Sequence, residues 1–238
     1  MPNPSAAILV IGDEILSGRT RDANMHHLAQ ELTRVGIDLK EARVIGDDHA
    51  GIVTALRDLS PRYDHVFTSG GIGPTHDDIT ADAVAEAMEV NIGHRSDVMA
   101  LLQAYYDKHD LPFNEARQRM ARIPAEATLI DNPVTAAPGF AIGNVLVMAG
   151  VPEIFRAMVE VALPHLEHGQ EVLSRTLRVS RSEGEVAAAF GCLADEFPEL
   201  TMGSYPFMEP APGTNLVLRG TDKEALDQAM ARLTALFG

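Results

Sequence analysis

Short apolar runs alternate with amphipathic stretches through the first 90 residues of the chain. Residues 6–12 form a continuous apolar run that ends in glycine, a pattern typical of a strand buried on both faces of a parallel sheet. After Asp22, which can cap a helix, apolar residues recur three and four positions apart until Gly36. This alternation predicts an α/β domain whose sheet is covered by helices on both faces. The predicted continuation is a strand at 39–45, a helix at 52–59, a strand at 65–68 and a helix at 80–88.

The same kind of pattern continues, less regularly, to about residue 165. Gly143 and Asn144 separate two short apolar runs and favour a tight hairpin between them. The predicted elements are helices at 98–106, 115–122 and 151–165, and strands at 129–130, 140–142 and 145–148.

A second set of elements starts near residue 169, in the order strand, helix, strand, strand, helix. Residues 182–185 and 221–224 are typical of capping boxes and predict the starts of the two helices. We therefore predict two domains, an α/β domain over residues 1–168 and a small α+β domain over residues 169–238.

Charge and cysteine content narrow the class of protein. The 238 residues include 34 acidic and 19 basic ones, a net charge of −15. Nucleic-acid binding needs clustered Lys and Arg, so this balance argues against a nucleic-acid partner. Cys192 is the only cysteine, which excludes an intramolecular disulfide, and its place beside a helical apolar stripe predicts core packing. No apolar stretch is long enough for a membrane span or a signal peptide, so we expect no membrane association and a cytoplasmic location.

Polar clusters follow three of the predicted strands directly. They are residues 12–14, 46–48 and 69–80. In open α/β sheets, ligands bind beyond the carboxyl ends of the strands. The three clusters are therefore expected to converge on one crevice.

The glycine loop after the third strand is the most informative cluster. Gly70, Gly71 and Gly73 let the backbone approach a ligand, and the loop leads into a helix N terminus, which favours a phosphate. Asp77 and Asp78 follow at once, and carboxylates beside a phosphate repel it unless a divalent cation lies between them. The combination predicts metal-assisted chemistry on a phosphoanhydride.

Helix capping is the structural alternative for several of these residues. Asp78 or Thr80 can cap the helix after the glycine loop, and Asp48 precedes another helical stripe. Asp13 and Glu14 can equally belong to a solvated loop. The position of all three clusters at strand ends favours the ligand site.

The clusters resemble the motifs of the CinA-like proteins (competence/damage-inducible protein A). The resemblance spans residues 6–165 in the family's order, and its long central motif, residues 68–80, is highly specific. The wider superfamily has the MoaB/Mog-type molybdopterin-binding fold, which implies a three-layer α/β/α domain with a mostly parallel sheet. The matching segments are residues 11–18 with Asn24, 44–48, 68–80, 132–140 and 150–153.

The resemblance implies a divalent-metal-dependent pyrophosphatase that hydrolyses ADP-ribose or a similar nucleoside diphosphate compound, with Mg²⁺, Mn²⁺ or Co²⁺ as cofactor. Three alternatives stay open: molybdopterin binding or adenylylation in molybdenum cofactor metabolism, non-catalytic nucleotide binding, and hydrolysis of FAD. Besides the phosphorylated ligand, the implied partner is a second copy of the chain in a homodimer, although Mog-type relatives form trimers. The implied catalytic residues are Asp47 and Asp78, the metal ligands Asp13, Glu14, Asp47, Asp48, Asp77 and Asp78, and the ligand contacts Asn24, Gly70, Gly71, Gly73, Thr75, His76, Thr80, Asn132 and Gly139.

Two departures from the family pattern change these expectations. CinA proteins often carry a further domain that deamidates nicotinamide mononucleotide, and we expect that activity to be absent because the chain has no room for it. The family's asparagine motif usually has a glycine, then Ser or Thr, before Ala-Pro-Gly. Thr135 and Ala136 stand there in this chain. We therefore expect less backbone freedom and one hydroxyl fewer at that point.

Overall fold

The computed structural model describes residues 3–238, which divide into two compact units, the first ending at Gly169 and the second covering Gln170–Gly238. The described strands of the first unit are β1 (Ser5–Ile11), β2 (Asp38–Ile45), β3 (His65–Ser69), β4 (Ile92–His94), β5 (Arg122–Pro124), β6 (Thr128–Ile130), β7 (Gly139–Ile142) and β8 (Val145–Met148). Its α-helices are α1 (Asp13–Leu16), α2 (Asn24–Arg34), α3 (His49–Leu59), α4 (Thr80–Ala87), α5 (Ser96–Lys108), α6 (Glu115–Gln118) and α7 (Pro152–Ala162).

A six-stranded sheet lies in the middle of the first unit. Its strand order is β2-β1-β3-β8-β7-β6. The first four strands are parallel, whereas β7 and β6 join antiparallel. The predicted hairpin between β7 and β8 is confirmed, with Ile142 opposite Val145. The mostly parallel α/β architecture predicted from the alternation is therefore confirmed.

The continuous apolar run of β1 has a direct structural reason. Ala7, Leu9 and Ile11 pack into a core with α3, α4 and α5. The alternate residues, such as Ile8 and Val10, pack into a second core with α2 and α7 on the opposite face. Because helices cover both faces of the sheet, the six residues from Ala6 to Ile11 are all buried and all apolar.

One part of the first unit differs from its predicted structure. The helix predicted over 115–122 is wrong beyond Gln118, because a 3₁₀ turn over Arg119–Ala121 leads into β5. β5 pairs antiparallel with β4 in a small ribbon that the sequence did not predict. Three-residue strands are too short to give a period of their own, and their pairing depends on residues about 30 positions apart.

The second unit has the predicted β-α-β-β-α order. Its elements are β9 (Leu173–Val179), α8 (Glu183–Glu196), β10 (Thr201–Phe207), β11 (Gly213–Gly220) and α9 (Lys223–Phe237). The strands form an antiparallel sheet in the order β10-β11-β9, and both helices pack on it around one apolar core.

Two predicted helix caps and the predicted packing of Cys192 can be compared with the structure of the second unit. The capping box of α8 is confirmed, with Ser182 and Glu185 bonded to each other. The second capping box is wrong, because Asp222 caps α9 by accepting from the Glu224 and Ala225 amides. Cys192 is exposed, so its predicted core packing is also wrong.

No helix within residues 3–238 combines the length and apolar character needed to cross a bilayer.

Candidate active site

A cleft of about 490 Å³ opens where four parallel strands end. Gly12 follows β1, Asp47 lies two residues after β2, Gly70 follows β3 and Gly150 lies two residues after β8, and all four line the cleft. In the sheet β1 lies between β2 and β3. The chain therefore goes from β1 to its neighbour on one side, β2, and then crosses to its neighbour on the other side, β3. Ligands of open α/β sheets bind at such switch points. The three polar clusters of the sequence therefore meet in one cleft.

The glycine loop has a shape that side chains would not permit. Gly70 and Gly71 adopt φ values of +110° and +70°. A Cβ at Gly70 would lie 2.2 Å from the carbonyl oxygen of Ile11, and one at Gly71 would lie 2.1 Å from Oγ1 of Thr80. The loop backbone is thus pressed against β1 on one side and α4 on the other, and only glycine allows this close approach.

The cleft is acidic, and its oxygen donors suit a hard divalent cation. Within residues 3–238 no Lys or Arg lines it, so a phosphorylated ligand would face a wall of carboxylates. Mg²⁺ is commonly held by one or two carboxylates together with phosphate oxygens of the substrate. Within residues 3–238, no three His, Cys, Asp or Glu side chains are grouped closely enough to hold a metal ion. The carboxylates of the cleft are Glu14, Asp47, Asp77 and Asp78.

Two of these carboxylates are oriented by neighbouring loops. The amide of Asp13 donates to Oδ2 of Asp47 at 3.0 Å. Thr75 donates to Oδ2 of Asp78 twice, from its amide at 2.7 Å and from its hydroxyl at 2.5 Å. The pKa of Asp77 lies below its ordinary value because the Thr75 hydroxyl and a backbone amide are close to its carboxylate. Because a hydroxyl has one proton, we assign its hydrogen bond to Asp78, where distance and angle are satisfied.

Asn132 organises a third part of the cleft wall. It is 7% exposed, its Oδ1 accepts from the amides of Val134 and Thr135, and its Nδ2 donates to Oγ1 of Thr135 and the carbonyl of Ala137. Asn132, Thr135 and Ala137 line the cleft. Ala136 takes a left-handed φ of +62° and is therefore a strained residue, one position after Thr135, where the loss of backbone freedom was expected.

Asn24 lies beside the cleft and acts on its walls. The side chain is 4% exposed, and its Nδ2 donates to Oγ of Ser69 at 2.8 Å and to the carbonyl of Gly150 at 2.7 Å. It also lines a pocket of about 50 Å³ that shares Glu14 and Gly150 with the cleft. Asn24 therefore ties the ends of β3 and β8 together.

Several predicted site residues do not line the cleft. Asp48 caps α3, accepting from the amide of Gly51 at 2.8 Å, as the capping alternative expected. Thr80 is fully buried behind Gly71, and its amide donates to the Gly71 carbonyl. Neither Asp78 nor Thr80 caps α4, whose N-cap residue is Ile79. The capping alternative therefore holds for Asp48 and is wrong for the other two.

Thr75, which contacts Asp78, and three other predicted residues also lie outside the cleft wall. The His76 side chain is 99% exposed at the loop tip. Asp13 contributes its amide to Asp47, and its own side chain is exposed. Gly139 is buried in β7, where a Cβ would lie 2.4 Å from the carbonyl of Val147. Its role in the structure is close packing of two strands.

Arg119 is a residue of this region that the sequence did not identify. Its Nη2 donates to the carbonyl of Asp78 at 3.3 Å, and its Nε is buried without a partner. It lines a chamber of about 20 Å³ with Gly71 and Gly73, directly beside the cleft. No motif marks it, because its position depends on the helix ending at Gln118.

Comparison with known proteins assigns a family to each unit. Residues 7–168 match the family described as "Probable molybdopterin binding domain", and residues 171–238 match "FAD synthase, middle domain". The crystal structure of CinA from Thermoplasma acidophilum, a protein described as of unknown function, superposes with a TM-score of 0.62 at 31% identity, covering 68% of this chain and 98% of that one. The chain therefore belongs to the molybdopterin-binding-domain family and, within it, to the CinA-like proteins.

Three relatives show how the two units occur elsewhere. A protein of Archaeoglobus fulgidus is 32% identical over 97% of this chain and 96% of its own length. A CinA-like protein of Citrifermentans bemidjiense is 32% identical over 95% of this chain, and a "Probable FAD synthase" of Caenorhabditis elegans is 31% identical over 98%. This chain spans 56% and 50% of the length of those two relatives.

Proposed function

We propose that this protein is a divalent-metal-dependent hydrolase that cleaves the phosphoanhydride of a nucleoside diphosphate compound, with ADP-ribose as the first candidate. One observation carries the proposal. A single cleft combines the backbone of the glycine loop with four carboxylates, and no cationic side chain of the described residues lines it. Such a cleft is suited to a phosphate that is held together with a divalent cation.

In this proposal the carboxylates, the glycine loop and the apolar wall of the cleft have different roles. Asp47 and Asp78 would hold the cation, each through Oδ1, which accepts no hydrogen bond within residues 3–238. The cation would neutralise charge on the phosphoanhydride and polarise it. Gly70, Gly71 and Gly73 line the cleft, so a phosphate would approach the backbone of the glycine loop there. Ile72 and the other apolar residues of the wall offer a surface for a base or sugar ring.

FAD is the second candidate substrate, and a separate observation favours it. Residues 171–238 match the FAD synthase middle domain, and a relative over nearly the whole chain is named a probable FAD synthase. FAD contains the same phosphoanhydride between two nucleoside-like groups, so one cleft could serve either compound. Molybdopterin is the third ligand to test, because it gives its name to the family of the first unit.

The deciding experiment measures AMP release from ADP-ribose and from FAD with Mg²⁺, Mn²⁺ or Co²⁺. We expect turnover of at least one compound and its loss in EDTA. Binding of molybdopterin with no AMP release from either compound would instead support a role in cofactor metabolism. Melting-temperature shifts in the same panel would reveal ligand binding without turnover.

The neighbours Asp47 and Asp48 provide a matched pair of variants. Asp47→Asn keeps an oxygen for the Asp13 amide and removes the charge, so we expect activity to fall by about 10²-fold. Asp48→Asn keeps a good helix cap and leaves the cleft unchanged, so activity should stay within about twofold. Equal activity in the two variants would contradict the assignment of Asp47.

The expected homodimer is part of the proposal and is tested independently. Sedimentation velocity would show a species of twice the 25.6 kDa chain mass. A species of three times that mass would instead match the trimers of the Mog-type relatives.

A further inference from the structure

Thr75 has a role that differs from the ligand contact expected from the sequence. It does not line the cleft, and its hydroxyl proton is directed to Oδ2 of Asp78. A hydroxyl has only one proton, so Thr75 cannot donate to a phosphate while this bond exists. Its amide also donates to the same oxygen. Both donor groups of Thr75 are thus committed to one atom of Asp78.

Asp78 is held from other directions as well. Arg119 donates to its backbone carbonyl at 3.3 Å. The carboxylate packs over Gly73, where a Cβ would lie only 2.7 Å from Oδ2. A residue held at its backbone carbonyl, at one carboxylate oxygen and against a neighbouring glycine has little freedom to change its side-chain conformation. Its second oxygen, Oδ1, accepts no hydrogen bond within the described part of the chain.

We propose that Thr75 is a positioning residue that orients Asp78 toward a divalent cation in the cleft. The inference rests on the proposed function, in which Asp78 holds that cation. Hydrogen bonds from an outer shell fix the direction of a ligating carboxylate, and their loss weakens metal binding by about 10–100-fold. Because the Thr75 amide remains when the hydroxyl is removed, we expect the lower end of that range.

A purely structural role for the contact makes a different prediction. Thr75 and Asp78 are three residues apart, a spacing at which side chains commonly tie a turn together. If the hydroxyl only holds the loop, its removal should lower the melting temperature and leave the affinity for the cation unchanged. Metal affinity therefore separates the two roles.

The test compares three variants of the full chain. Thr75→Val removes the hydroxyl and keeps the amide, whereas Thr75→Ser keeps both donors. Thr54→Val is the control, because the hydroxyl of that exposed threonine of α3 donates to the carbonyl of Ala50, within its own helix. Mn²⁺ binding is measured by electron paramagnetic resonance of the free ion, with and without ADP-ribose, and the melting temperature is recorded for each protein.

We expect Thr75→Val to weaken Mn²⁺ binding about tenfold, and the other two variants to stay within about twofold of the parent. In an active enzyme, the Mn²⁺ concentration for half-maximal rate should rise equally, with the substrate KM nearly unchanged. Wild-type affinity for Mn²⁺ in Thr75→Val would overturn the inference, and so would a parent protein that binds no Mn²⁺. If the parent binds Mn²⁺ and hydrolyses neither compound, the proposed function fails while the binding data still decide the role of Thr75.

Discussion

Two loops of the cleft wall reach a left-handed backbone conformation in different ways. The loop after β3 uses Gly70 and Gly71, at φ values of +110° and +70°. The loop between β6 and β7 uses Ala136, at φ +62°. For a residue with a Cβ this conformation costs about 1–2 kcal/mol, whereas glycine adopts it freely. The first loop therefore avoids strain, and the second one contains it.

Their surroundings explain the difference. The glycine loop is pressed against the carbonyl of Ile11 and the hydroxyl of Thr80, so any side chain would collide there. The second loop is held by Asn132, which makes four hydrogen bonds to residues 134–137. Close packing determines the residue type in the first loop, whereas hydrogen bonds offset a conformational cost in the second.

Among the variants that test this comparison, Gly70→Ala should lower the free energy of unfolding most. The new Cβ would lie 2.2 Å from a backbone oxygen of β1, which cannot move without disturbing the central strand. We expect a loss of at least about 3 kcal/mol, measured from urea unfolding of the first unit. Gly93→Ala is the control, because a Cβ there meets nothing within 4 Å. Similar stability of the two variants would show that the packing argument is wrong.

Asn132→Ala should have the next largest effect. It removes four hydrogen bonds from a buried side chain and leaves backbone groups of the turn unpaired, at a cost of about 2–3 kcal/mol. Asn114→Ala, which removes one exposed cap bond to Arg117, should cost only about 1 kcal/mol. Faster amide hydrogen exchange across residues 134–137 would locate the damage. Unchanged exchange there would contradict the role assigned to Asn132.

Ala136→Gly should change the free energy of unfolding least, and it should raise it rather than lower it. Relief of the left-handed penalty is partly cancelled by the greater entropy of glycine in the unfolded chain, so we expect a gain of up to about 1 kcal/mol. Ala50→Gly in α3 has no such strain to relieve and should lose about 1 kcal/mol. Equal losses in the two variants in thermal unfolding would mean that the loop carries no strain at Ala136.

Long and repeated patterns made the fold predictable. Residues 6–12 are apolar at every position because helices cover both faces of β1, so a buried parallel sheet was the natural interpretation. The ribbon of β4 and β5 was missed, since pairing across about 30 residues leaves no periodic signal. The capping motif at 182–185 was correct and that at 221–224 was not, because the N-cap residue is Asp222, an equally good cap one position later.

The site was predictable as a set of segments and less so as a set of side chains. Motifs at strand ends indicated where a cleft would form, because the carboxyl ends of parallel strands lie at one edge of a sheet. Which of the adjacent Asp47 and Asp48 lines the cleft depends on where α3 begins, since Asp48 is used as its cap. Thr75 and Arg119 act on Asp78 through contacts that no motif describes.

The pairing of β3 with β8 has a consequence for the order in which the protein assembles. Val66 lies beside Val145, so this contact closes a long stretch of chain. The glycine loop and the acidic clusters after β1 and β2 belong to the first 80 residues, but the wall formed by residues 132–154 joins them only when β8 docks. Such distant pairings form late, because loop closure must precede them. A chain that ends before residue 145 would lack part of the cleft. Ligand affinity therefore measures whether the whole sheet has assembled.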